Sequence, residues 1–440
     1  MLTAMAASSP PPRVFGFWIS LALVVGNMIG SGVYLIPGTL APFGWNGVAG
    51  WLVTIVGALL LATVLGALSR AYPQAGGPYA YCRQAFGPFA GFAIAWSYWA
   101  SLWVGNVAVA TGVIAPLTTI FPALAPWSPP LTVALLWGVT GINVAGAGAT
   151  GRLQLVTTIL KFVPLLAVVA VAAAVMAKGG TGVLPPLHVA DLHLTGATGI
   201  SAAAAVTLWS FLGIESATIP AERVANPART IARATLVGTA VTGLVYLFAC
   251  SSVSLLLPAA EAAKSGAPLA DFVGRHWGPG AATAMAVFAA ITAFGALNGW
   301  ILLQGEVPWA MAQDGALPAW LAKLSPRGTP LRAHLVSSSL LTLVMLTNFS
   351  RSLTDLFKFL ILLGTVASLV PYLVCALAAL RLRGQGGLPR SAGFSLIAIL
   401  AALYSAWAIV GAGNEAMLWG AALVASGVPV WLLMRRQRAR

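Results

Sequence analysis

Residues 209–217 read Trp209-Ser210-Phe211-Leu212-Gly213-Ile214-Glu215-Ser216-Ala217, a carboxylate set inside an otherwise apolar run. Placing Glu215 at the centre of a membrane helix costs roughly 2.5–3.5 kcal/mol on insertion scales unless it is paired, protonated or wet. A second irregular stretch, Gly26-Asn27-Met28-Ile29-Gly30-Ser31-Gly32, interrupts an apolar run near the start of the chain. Two hydrophobic segments broken by glycine and small polar residues at corresponding places in two halves mark a transporter binding site.

The rest of the chain fits that setting. Of its 440 residues 59% are apolar and 7% charged, and the mean hydropathy is +0.91. Soluble domains carry about 25% charged residues, so the chain reads as an all-α integral membrane protein. Twelve apolar segments approach the ~20 residues needed to span the hydrocarbon core: 14–38, 45–69, 87–120, 130–149, 154–177, 197–219, 231–257, 280–310, 333–350, 355–380, 391–413 and 415–434. Of the 23 Lys and Arg residues, 17 fall towards one side of these spans, 5 towards the other, and Lys161 lies within a span. The positive-inside rule then predicts both termini in the cytoplasm, in the inner (plasma) membrane. It also accounts for the net charge of +14 without nucleic acid.

Segments one and six both break at glycine and are followed by Pro37 and Pro220. They are five spans apart, an odd separation that inverts the second unit. The expected organisation is one membrane domain: a tail 1–13, a first repeat 14–177, an inverted repeat 197–380, two added helices in 391–434, and a tail 435–440. The longest external loops, 178–196 and 258–279, have room for short interfacial helices. The first apolar run is longer than a signal-peptide core, and no basic residues precede it in the first twelve positions, which predicts no cleaved leader. Backbone groups freed at the breaks cannot face lipid. The N-terminal end of a half-helix would offer N–H groups to a carboxylate and the opposite stub carbonyls to an ammonium, a receptor for a zwitterionic amino acid.

Enzyme signatures are missing. There is no phosphate-binding Gly-Lys-Ser/Thr loop and no His-Glu-x-x-His. Cys82, Cys250 and Cys375 have no metal or redox spacing, and His188 and His193 belong to an external loop. No cofactor or metal is expected. Glu222 and Arg223, adjacent in sequence, read as a cytoplasmic cap or ion pair, with a gate role as the alternative.

Gly26-Asn27-Met28-Ile29-Gly30-Ser31-Gly32-Val33, Gly76-Gly77-Pro78-Tyr79-Ala80-Tyr81 and Trp209 to Ser216 resemble the amino acid–polyamine–organocation superfamily, and within it the arginine/agmatine antiporters most. Tyr98-Trp99, Trp103-Val104-Gly105-Asn106, Gly299-Trp300 and Val370-Pro371-Tyr372 extend the likeness to most of the chain. The resemblance implies a five-plus-five inverted repeat with broken helices 1 and 6, alternating access and a homodimer. It implies a substrate site of Asn27, Ile29, Ser31, Gly32, Ser101, Asn106, Trp209, Ser210, Leu212, Trp300 and Gly364. In it the Ser31 and Gly32 N–H groups hold a carboxylate, and the Trp209 and Leu212 carbonyls take an α-ammonium. Asn106 and Ser210 meet the polar end of the side chain, and Trp300 stacks on a guanidinium. Glu215 becomes the proton-sensitive switch, with Tyr98, Tyr372, Trp209 and Tyr79 as gate elements. Lys161 departs from this pattern and resembles lysine-containing permeases, where the ammonium braces the first broken helix or titrates. Glu306 stands where the antiporters have a neutral amide. A proton-coupled permease for neutral amino acids, or a sensor on the same fold, therefore stays open beside the antiporter.

Overall fold

The computed structural model describes residues 11–179, 183–347 and 368–438. Its helices are α1 (Phe17–Met28), α2 (Ile36–Leu40), α3 (Trp45–Ala71), α4 (Pro78–Phe86), α5 (Pro88–Ile120), α6 (Ser128–Ala145), α7 (Ala147–Gly179) and α8 (Ile200–Leu208). There follow α9 (Pro227–Leu256), α10 (Ala259–Ala262), α11 (Pro268–Trp277), α12 (Pro279–Gln313), α13 (Leu331–Thr347), α14 (Ser368–Arg381), α15 (Ala392–Gly411) and α16 (Asn414–Arg438). Among the described residues there is no β-strand; a single parallel bridge joins Phe15 to Val224. Among the described residues seven helices are long and apolar enough to cross a membrane, and α1, α8 with the 3-10 turn that follows it (Ile200–Phe211), α13 and α14 are shorter apolar helices. The protein is an all-α, multi-pass membrane protein.

Five helices, α4, α5, α9, α11 and α12, open on a proline. Its fixed φ and missing N–H suit the first turn, where the donor has no helical partner. One boundary in particular differs from the sequence expectation. Spans four and five meet at Gly146, whose φ of +146° only glycine adopts readily, so α7 starts seven residues before the predicted 154. Between the second and third predicted spans, the segment from Pro78 forms the short helix α4. The 258–279 loop does carry two short helices, α10 and α11.

Both predicted breaks are present. α1 ends at Met28, Ile29 and Gly30 are extended, and a 3-10 turn, Ser31–Tyr34, leads into α2. α8 passes into the 3-10 turn Trp209–Phe211, after which residues 212–220 run as turns without regaining a helix. The two breaks touch: Asn27 Nδ2 donates to Ser216 Oγ at 2.9 Å.

Small residues let the scaffold close around the first break, the usual device of membrane helix packing. A Cβ on Gly26 would lie 2.2 Å from Gln154 of α7, and one on Gly299 of α12 would lie 1.9 Å from Asn27 Oδ1. On the third side, a Cβ on Gly112 of α5 would lie 2.6 Å from Ser31 Oγ. Gly26 is thus a packing glycine, while the chain breaks at Ile29–Gly30. Gln154 and Asn298 hydrogen-bond at 2.8 Å, tying α7 to α12 behind α1.

Candidate functional site

Between the two breaks and the inner faces of α5 and α12 lies a cavity of about 120 Å³. Nine of the predicted substrate residues line it: Asn27, Ser31, Gly32, Ser101, Asn106, Trp209, Ser210, Leu212 and Trp300. Gly364 lies outside the described residues. Ile29 does not reach the cavity; it is fully buried, and its carbonyl accepts from Lys161 Nζ at 2.8 Å.

Each wall follows from its element. Ser31 and Gly32 begin a 3-10 turn, so their N–H groups precede the first one that can bond within it. The Trp209 indole covers this end: a Cβ on Gly32 would be 3.3 Å from Trp209 Nε1. Opposite, Ser101, Asn106 and Trp300 project from α5 and α12. Ser210 Oγ is buried with no hydrogen-bond partner among the described residues. Several other polar groups are already engaged. Asn27 bonds Ser216 and accepts from Gln154 at 3.5 Å, Ser101 Oγ donates to Tyr98 O at 2.7 Å, and Trp209 O accepts from Leu212 N at 3.3 Å. Asn27 therefore joins the breaks while lining the cavity.

Glu215 and Lys161, both fully buried, stand behind the cavity wall and do not pair with each other. Tyr98 Oη donates to Glu215 Oε1 at 2.5 Å, and Tyr372 Oη donates to Oε2. The Tyr372 hydroxyl also accepts from Gly213 N at 3.0 Å, so one phenol spans the break and its carboxylate. Tyr98 precedes Ser101 by a single turn, about 5 Å along α5, which puts this clamp next to the cavity. Lys161 Nζ donates to Gly26 O and Ile29 O, and Tyr246 Oη donates to Met28 O at 2.8 Å. The two Lys161 bonds satisfy carbonyls left without partners where the helix ends, as buried backbone requires, and Tyr246 adds a second donor to Met28 O, which also accepts from Gly30 N at 3.1 Å. Tyr79 is buried on α4, beside the contact in which Gly76 N donates to Ile219 O at 2.9 Å.

Sequence reasoning missed the buried ion pair. Arg223 does not pair with its neighbour Glu222. Its Nε donates to Glu306 Oε1 at 2.5 Å with both side chains buried, and its Nη1 donates to Gly328 O at 2.8 Å. Its guanidinium also stacks over Trp309 at 5.8 Å. Glu222 and Arg223 share the 3-10 turn Ala221–Arg223, in which three residues per turn set neighbouring side chains about 120° apart, so the nearest charge in sequence was the wrong partner. Glu222 is half-buried outside the spans, and burial raises its pKa despite the opposing pull of Arg223. Among the described residues no cluster of His, Cys, Asp and Glu could hold a metal, and all three cysteines are buried and free.

With two helix breaks enclosing a cavity in an all-α membrane scaffold, the matching family model is the one described as amino acid permease, over residues 15–428. The chain belongs to this family. It is 33% identical to a putative arginine/ornithine antiporter of Bacillus subtilis, covering 90% of this chain and 92% of that one. It is 30% identical to a cadaverine/lysine antiporter of Escherichia coli, with 84% of each covered. It is 29% identical to the putrescine transporter PotE of Haemophilus influenzae, over 90% of this chain and 92% of the relative. This amino acid permease family member is a transporter and not an enzyme.

Proposed function

We propose that the protein is an antiporter that exchanges a cationic amino acid for its decarboxylated amine or a second cationic amino acid, with arginine/agmatine exchange as the model reaction. The observation that carries this reading is the cavity itself, which sets backbone donors at the first break opposite Trp300 and Asn106. A substrate carboxylate suits the Ser31–Gly32 end. An extended cationic side chain suits the opposite wall, where a guanidinium or ammonium can lie on the Trp300 face. The relatives named above act on arginine, ornithine, lysine, cadaverine or putrescine, all of which carry a cationic end. An amine without the carboxylate would leave the first subsite unused and still fill the second. Glu215 adjoins the cavity through the Tyr98–Tyr372 clamp and is the group proposed to couple proton binding to the gate. Decarboxylation between import and export would consume a cytoplasmic proton.

The test is uptake of labelled arginine into proteoliposomes preloaded with agmatine, arginine, alanine or nothing. Uptake that requires internal arginine or agmatine supports the reading. Trp300→Leu should then weaken arginine binding by about 2- to 30-fold, the value of a cation–π contact of ~0.5–2 kcal/mol. A second reading, a proton-coupled permease for neutral amino acids, rests on Lys161. It requires the opposite result: no arginine uptake, and alanine accumulation driven by a pH gradient alone.

A further inference from the structure

A chain of hydrogen bonds leads away from the cavity through α12 to α13 and α6. Asn106 Nδ2 bonds Gln304 Oε1 at 2.8 Å, Gln304 Nε2 bonds Ser338 Oγ at 3.0 Å, and Ser338 Oγ lies 2.8 Å from Thr140 Oγ1. Thr140 Oγ1 in turn lies 2.8 Å from Leu136 O, the carbonyl one turn back on its own helix. All four side chains are buried. Amides and hydroxyls can in general run such a chain in either direction, and here the far end decides it. A carbonyl oxygen cannot donate, so the proton between Thr140 and Leu136 must be that of Thr140; otherwise two lone pairs would meet at 2.8 Å. With its only proton spent, Thr140 accepts from Ser338. Ser338, its proton spent in turn, accepts from the Gln304 amide nitrogen. That turns Gln304 Oε1 toward Asn106 and makes Asn106 the donor. Ser337 Oγ, bonded to Gln304 O at 2.8 Å and to Trp99 Nε1 at 2.9 Å, fixes the adjoining backbone.

We infer that Thr140, Ser338 and Gln304 are positioning residues that set the polarity of the cavity, locking the Asn106 carbonyl oxygen outward so that the distal subsite selects hydrogen-bond donors. None of the three lines the cavity, whereas Asn106 does. Asn106 Oδ1 makes no hydrogen bond to any described residue. An acceptor fixed there strengthens toward a cation, since hydrogen bonds to ionised groups are about twice as strong as neutral ones. It repels a carbonyl or carboxylate at the same place. The inference rests on the cationic-substrate reading and adds what enforces it.

The test compares arginine with citrulline, whose ureido oxygen replaces one guanidinium nitrogen at nearly equal size, as competitors for labelled arginine exchange. Thr140→Val keeps the shape and removes the hydroxyl. Ser338 is then free to donate to Gln304, both amides can turn over, and Asn106 can show its N–H groups to the cavity. The arginine-over-citrulline preference should fall about tenfold, the scale of one charge-assisted hydrogen bond, and Thr140→Ser should restore it to within about twofold. A preference unchanged in Thr140→Val overturns the relay while leaving the cationic reading intact. An equal fall in Thr140→Val and Thr140→Ser also overturns it, because packing would then explain the loss. A parent protein that does not prefer arginine at all overturns the cationic reading and the relay together. Should Thr140→Val not yield folded protein, Ser338→Ala breaks the next link and is read by the same preference, with the same fall supporting and an unchanged value overturning the relay.

Discussion

The two helix breaks solve one problem with opposite chemistry. At the first, the ending helix leaves carbonyls, and the buried cation of Lys161 takes two of them, at Gly26 and Ile29. At the second, the buried ionisable group belongs to the break itself, and the phenols of Tyr98 and Tyr372 come from other helices to hold Glu215. The first break recovers within three residues into a 3-10 turn and then α2, whereas residues 212–220 never regain a helix. A fixed cation on backbone carbonyls has one arrangement in which both bonds are made. A carboxylate held by neutral hydroxyls and backbone groups can lose or gain a proton without leaving another charge unpaired. The first break is thus arranged as a brace, and the second suits the proton switch proposed for Glu215.

The largest effect should follow from breaking the brace. Lys161→Met leaves Gly26 O and Ile29 O buried without their donor, at a cost of ~1.5–3 kcal/mol for each bond to a charged group. Folded yield and melting temperature in detergent should fall sharply, with transport lost. Lys161→Arg should not restore it, because a planar guanidinium cannot occupy the place of a compact ammonium. A variant that melts like the parent but loses only its pH response would recast Lys161 as a titrating residue and erase the contrast.

Changes at the switch should spare the fold and alter the response. Glu215→Gln keeps an oxygen for one phenol and removes the titrating group. Substrate binding by calorimetry should stay within about threefold, since the carboxylate does not line the cavity, while the pH profile of exchange flattens. An unchanged profile would end the proposed role. Tyr372→Phe removes the hydroxyl that joins Gly213 N to Glu215 and should cost ~1–3 kcal/mol in thermal stability, the penalty for a buried donor left unpaired. Its effect should exceed that of Tyr98→Phe, which leaves no backbone group exposed.

How far the sequence could reveal this depends on whether the partner is near in the chain. Both breaks were legible because glycine and serine inside an apolar run, and a lone carboxylate in another, are local violations of what lipid tolerates. Nine cavity residues followed from motifs within those runs and on α5 and α12. Lys161 was visible as an anomaly, but its partners are carbonyls more than 130 positions away, which carry no side-chain signature. Arg223 and Glu306 are 83 positions apart, and the adjacent Glu222 supplied a false partner. The start of α7 was hidden for a different reason: Gly146, Gly148 and Gly151 are equally able to turn by composition, and only the fold selects one. The relay behind Asn106 joins residues of four helices through common, uncharged side chains, so nothing in its sequence stands out.

The smallest predicted effect sharpens the comparison between the breaks, because each contains a glycine that differs in what it requires. Gly213 has a φ of +109°, and a Cβ there would lie 3.1 Å from the Asn27 Cβ. Gly213→Ala should therefore destabilise by ~1–3 kcal/mol from backbone strain alone, with some loss of the Asn27–Ser216 contact between breaks. Gly30 has a φ of −108°, open to any residue, and a Cβ would meet only Ala296 Cβ, at an ordinary 3.9 Å. Gly30→Ala should change stability by no more than about 0.5 kcal/mol. Because Gly30 lines the cavity, the added methyl group should register in substrate affinity instead. Melting curves of the two variants in detergent decide the matter. Equal losses would mean that the first break also depends on glycine geometry, and that Lys161 alone does not set its shape. A loss confined to Gly213→Ala would leave the first break as a brace set by side-chain chemistry and the second as a turn set by its backbone.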